Sequence, residues 1–126
     1  MKKFIRLTIS IICVLTLFYT CHNNKVADFE IINESKSIID SVKISCSGTN
    51  YRNKSVITKL LPKERSKLTL NMNDVKKIDG NYFIEIFKKA KNTNKAFGYY
   101  SNGCPTNSIY KLIIKKDTIL VKERMK

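Results

Sequence analysis

Eight short stretches of this chain alternate apolar and polar side chains with a period of two, and turn residues separate them. Nothing else limits the fold as strongly, because that period places one side-chain face inward and one outward on a half-buried strand. Phe29 and Ile31 flank Glu30 before Asn33-Glu34-Ser35 breaks the run. Val42, Ile44 and Cys46 share one face while Lys43 and Ser45 take the other, and Ser47-Gly48-Thr49-Asn50 ends that strand. Val56 to Leu61 is stopped by Pro62, which has no N–H to give a ladder. Leu68, Leu70 and Met72 mark a fourth strand. The turn signal Asp79-Gly80-Asn81 opens Tyr82 to Phe87, apolar on both faces except at Glu85, as a central strand reads. Lys88 to Lys95 reads as a polar loop before Ala96 to Tyr100. After Ser101-Asn102-Gly103 and Pro105, a seventh strand carries Tyr110, Leu112 and Ile114. Lys116-Asp117 then turns the chain into Thr118 to Lys122. No stretch has a sustained helical period, and Asn73 to Ile78 allows one turn at most. The expectation is all-β: an antiparallel β-sandwich of seven or eight strands filling residues 29–126.

The beginning of the chain is different. Lys2, Lys3 and Arg6 precede an apolar run of thirteen residues, Leu7 to Tyr19, and Cys21 follows. A membrane-spanning helix needs about 20 apolar residues; this run is shorter, and His22-Asn23-Asn24-Lys25 closes off any extension. Residues 1–20 therefore read as a secretory signal helix. The segment resembles the signal of a bacterial lipoprotein, although Leu17 stands one place early and Tyr19 is bulky for the usual box. The resemblance implies lipid (palmitate-type) attachment at Cys21, a polar tether over 21–28, and residence in the cell envelope at the outer membrane, on its periplasmic or surface face. A plain cleaved signal and a retained anchor are the alternatives. Cys13, inside the apolar run, reads as a small hydrophobe.

Charge narrows the partners. The chain has 24 basic against 10 acidic side chains, and 20 of the basic ones are Lys. Removing the signal takes away three basic residues and leaves a formal +11 on the remainder. Dispersed Lys is first of all a solvated surface, whereas sites for phosphate or carboxylate favour the two-pronged Arg. Direction-counting adds a placement. If every connection reverses the chain, alternate loops emerge at one end, and residues 33–37, 62–67, 88–95 and 115–117 collect there. They hold ten basic residues against Glu34, Glu64 and Asp117, while the tether-side end is close to balanced. Lys63, Arg65, Lys67, Lys88, Lys89, Lys91 and Lys95 are thus a candidate patch for an anionic partner. That partner would be an acidic protein or an anionic glycan; nucleic acid is not expected of an exported chain. The same counting puts Cys46 and Cys104 at the tether-side end, where the two could form a disulfide in an oxidising compartment.

Chemistry-bearing constellations are few. His22, the single histidine, sits on the tether, and no cysteine spacing matches a zinc site. No cofactor or metal is expected, and no Ser/His/Asp or Cys/His set supports an enzyme. Asp40-Ser41-Val42 and Asp117-Thr118-Ile119 match a short O-glycosylation signal, though local side-chain-to-backbone bonding explains such pairs equally well.

Leu61-Pro62-Lys63-Glu64, Asp79-Gly80-Asn81-Tyr82, Phe97-Gly98-Tyr99-Tyr100-Ser101-Asn102-Gly103 and Asp117-Thr118-Ile119 resemble the turn-and-strand patterns of small lipoproteins of Bacteroidetes-type bacteria. That resemblance implies an immunoglobulin- or transthyretin-like sandwich and an envelope location, and carries no active residues. The functional expectation is a membrane-tethered, non-catalytic binding module. The alternative is an inhibitor or immunity-type lipoprotein that blocks a periplasmic enzyme with its basic loop tip.

Overall fold

The computed structural model describes residues 25–47 and 53–126. The signal segment, Cys13, Cys21 and His22 lie outside the described residues, as does the predicted turn Gly48-Thr49-Asn50. Each predicted strand forms: β1 (Val26–Asn33), β2 (Ile39–Cys46), β3 (Lys54–Leu60), β4 (Arg65–Asn71), β5 (Gly80–Lys88), β6 (Lys91–Ser101), β8 (Ser108–Ile114) and β9 (Ile119–Met125). A two-residue strand, β7 (Cys104–Pro105), adds itself to the end of β6. No helix occurs among the described residues. A four-stranded sheet of order β4-β1-β8-β9 packs on a five-stranded sheet of order β3-β2-β5-β6-β7, and their inner faces share one core.

Two expectations need correction. The sandwich is not wholly antiparallel, because β1 and β8 pair in parallel, from Asp28↔Ile109 to Asn33↔Ile114. Direction-counting already made these two strands point the same way. They become neighbours because the chain crosses between sheets at Thr106-Asn107, leaving β7 in one and starting β8 in the other. Residues 88–95 are also not a loop. Lys88 pairs with Lys91 across a two-residue turn, and β6 continues from there to Ser101. Residues 91–96 are all exposed, so this part of β6 has no buried face and leaves no alternation to read.

The core is aromatic at its centre. Phe29 on β1 meets Tyr82 on β5 edge-on at 5.2 Å between ring centroids, and Phe97 on β6 at 5.7 Å. Tyr110 on β8 stacks on Phe29 at 6.2 Å. Edge and offset contacts of this kind stabilise by about 0.5–1.5 kcal/mol each beyond area burial. Gly98 makes room for them: its φ is +53°, and a Cβ there would stand 2.7 Å from the Tyr110 ring. Burial pushes the Tyr82 phenol far above its ordinary value, with smaller contributions from Tyr110, Cys46 and Tyr100.

The two ends of the sandwich close differently. At the end where residue 25 enters, the Tyr100 hydroxyl donates to the Ser47 carbonyl, and Ser47 Oγ accepts the Asn81 N–H at 2.9 Å. Asp79 accepts from the Ser101 hydroxyl and the Asn102 N–H, both at 2.9 Å. Those two donors, the backbone one first, hold its carboxyl below the usual value. At the far end, Asn33 is fully buried. Its amide donates to the carbonyls of Ser37 at 2.9 Å and Leu60 at 3.0 Å, and its Oδ1 accepts from the Ser35 N–H at 3.0 Å. The residue predicted to break a strand is a polar staple joining β1 of one sheet to β3 of the other.

Candidate functional site: a lysine-rimmed cleft

No comparable staple closes the other long side of that far end, where β6 and β9 run past each other. A cleft of about 860 Å³ opens there, within the size range of small-molecule sites. Ile39, Ile86, Ile114 and Ile119 contribute an aliphatic floor, and all four are buried. The rim carries six lysines: Lys88, Lys89 and Lys91 around the β5–β6 turn, Lys95 further down β6, and Lys115 and Lys116 on the β8–β9 turn. Asp117 is the one acidic residue lining it.

Local structure explains how the lysines converge. The β5–β6 turn has only two residues, and Lys89 adopts φ 52° there, the left-handed region that side chains other than Gly enter at a cost. The Asp40 carboxylate accepts the Lys89 backbone N–H at 2.6 Å and pins the turn to the start of β2. Lys95 reaches across the gap, its Nζ donating to the Ile119 carbonyl at 2.6 Å. It thereby links the two sheets at the inner boundary of the cleft. Lys115 lies 3.9 Å from Glu34, a loose and exposed pair. The side chains of Lys88, Lys89, Lys91 and Lys116 have no ion-pair partner among the described residues. Four ammonium groups thus face a shared space with little to offset their mutual repulsion.

The predicted basic patch divides. Lys88, Lys89, Lys91 and Lys95 line the cleft. Lys63, Arg65 and Lys67 belong to the β3–β4 turn and to β4, the opposite edge of the four-stranded sheet from β9. Three strand spacings separate those edges, about 14 Å, more than the roughly 8–10 Å over which exposed charges act at physiological salt. The seven residues are not one surface. Lys115 and Lys116, counted at this end from loop direction but left out of the patch, are the ones that complete the cleft. The signal for them was their position in the turn facing the β5–β6 turn.

Cys46 is buried at the end of β2, and Cys104 is held in a disulfide. The strand order β2-β5-β6-β7 puts their strands three spacings apart, about 14 Å, and a disulfide needs Cα atoms within about 7 Å. Of the two glycosylation-like motifs, Ser41 lies inside β2, paired on both sides, whereas Thr118 is exposed in the β8–β9 turn at the cleft. A second, smaller depression of about 300 Å³ near Asp79 and Tyr99 lies at the tether end. Among the described residues no group of three His, Cys, Asp or Glu is placed to hold a metal ion. Compared with protein-family models, curated proteins and solved structures, the chain matches none.

Proposed function

We propose that this is an exported, lipid-anchored domain that binds an anionic partner in its lysine-rimmed cleft and performs no chemistry on it. The observation that carries the reading is the placement of the cleft. It opens at the end of β5 and β8, whereas residue 25, where the tether joins β1, lies at the other end. A protein held through Cys21 would present such a site away from the anchoring membrane. The lining supports binding over catalysis: ammonium groups, short hydroxyl and amide side chains, and isoleucines. A concave site receives a ligand, which favours a binding module over an inhibitor that inserts a loop tip into an enzyme. The immunoglobulin- or transthyretin-like kinship belongs to the same reading, supported by two facing sheets and a crossover between them.

Two measurements test this. Labelled fatty acid should be incorporated into the wild-type chain and not into Cys21→Ser, which should leave the membrane fraction; stable anchoring takes two or more acyl chains. Absence of label in the wild type would remove the lipid anchor. Retention on an immobilised anionic glycan should fall steeply with salt and be lost in K89E/K91E/K116E. Retention indifferent to those reversals would remove the cleft from the function.

A further inference from the structure

We infer that the cleft takes a single-chain anionic amphiphile, a fatty-acid-like molecule with one acyl chain and one anionic head. The inference rests on the binding-module reading above and names its ligand. A site for a purely polar polyanion would have a polar floor. Here the floor is Ile39, Ile86, Ile114 and Ile119, and the polar groups stand at the rim. Lysine stems extend the aliphatic wall while keeping their charged ends in water. Apolar depth and a cationic mouth are the complement of an amphiphile: burial of the chain is favourable by about 0.8 kcal/mol per CH₂, and the head meets ammonium groups that lack protein partners.

The dimensions select one chain. From Lys91 to Lys95 the cleft follows β6 for about 13 Å, and the Lys95 bridge to the Ile119 carbonyl marks its inner boundary. The charge also selects the sign of the head, because six lysines face a single aspartate. The position selects the source: a cleft at the end away from the tether meets monomeric amphiphile in solution, not the bilayer that holds the anchor.

The test uses the full, lipid-anchored chain in discs of zwitterionic phosphatidylcholine. Three photoactivatable probes of equal chain length are added, with a carboxylate, a neutral alcohol or a trimethylammonium head, and cross-links are mapped by peptide mass spectrometry. The carboxylate probe should mark peptides containing residues 86–95 and 114–119 at least tenfold more than the trimethylammonium probe. K89E/K91E/K116E should reduce that labelling about tenfold with an unchanged melting temperature. Equal labelling by carboxylate and trimethylammonium would overturn the inference, as would labelling spread evenly over the chain. No cleft labelling in a protein that still binds the anionic glycan through its lysines would overturn the amphiphile and leave the binding-module reading standing. Loss of glycan binding as well would take both down.

Discussion

The two ends of this sandwich are put together in opposite ways. At the tether end, short contacts tie the strand ends: the Tyr100 hydroxyl donates to the Ser47 carbonyl, and the Asp79 carboxylate accepts from the Ser101 hydroxyl and the Asn102 N–H. Gly80 is required there, since a Cβ would stand 2.2 Å from Ser47 Oγ. At the far end one long side is closed in the same manner by Asn33, and the other is spanned by the flexible stem of Lys95. A strand end tied by short side chains leaves only the smaller depression of about 300 Å³ near Asp79 and Tyr99; one spanned by a long cation leaves a cleft of about 860 Å³ with a charged mouth. Lysine is concentrated at the far end, but lysine content alone does not make a cleft. What each lysine is asked to hold does.

The largest effect expected is on the core that both ends share. Tyr82→Ala should destabilise by about 3–5 kcal/mol, read by urea unfolding. Raising pH should act on the same group. The phenol is pushed up by burial from its ordinary value of 10.0, so its contribution is complete below that value and is lost as pH rises through the folded-state value. Stability that stays flat well above pH 10 would show that Tyr82 is not buried as described. Asn33→Ala should come next, at about 2–3 kcal/mol, because it removes the bonds that the buried amide makes to the Ser37 and Leu60 carbonyls and to the Ser35 N–H and hydroxyl. A loss under about 1 kcal/mol would mean that the far end is open on both sides.

Strand alternation made most of this architecture legible, and the places where it failed share a cause. Val42, Ile44 and Cys46, or Leu68, Leu70 and Met72, announce their strands because one face is buried. The upper half of β6 has no buried face, so Lys91 to Lys95 looked like loop. Alternation also says which face is inward and nothing about which strand lies alongside. The parallel β1–β8 pair and the splitting of the basic patch between opposite edges were therefore out of reach. Asn33 was read as a breaker because a buried amide with its main bonds satisfied looks, in sequence, like any Asn at a strand end. The cleft was half legible: loop direction gathered its lysines, but the isoleucine floor could not be told from ordinary core.

Smaller effects sharpen the contrast at the cleft. Lys95→Met should cost about 1 kcal/mol through the lost bond to the Ile119 carbonyl and should raise the exchange rate of amides in β9 near residue 119. If neither changes, the bridge does not hold the sheets together. K89E/K91E/K116E should alter stability by about 0.5 kcal/mol per site or less while abolishing anion binding. Thr106→Val, at the crossover, should be neutral or slightly stabilising, since its hydroxyl is buried without a partner among the described residues. Smallest of all, the Asp79 carboxyl should titrate by NMR below its ordinary value of 3.8, so its bonds to Ser101 and Asn102 weaken as pH falls through that lowered value.

The parallel pairing of β1 with β8 also dictates an order of events. Both neighbours of β1 in its sheet, β4 and β8, come later in the chain, and β8 begins only at Ser108. Contacts between such distant segments form late and slowly, because long loops must close before they are rewarded. A chain emerging N-terminus first, from a ribosome or through a membrane channel, must keep β1 incompletely paired until β8 has come out. A chain truncated before residue 108 should therefore present β1 as an open edge to chaperones and proteases.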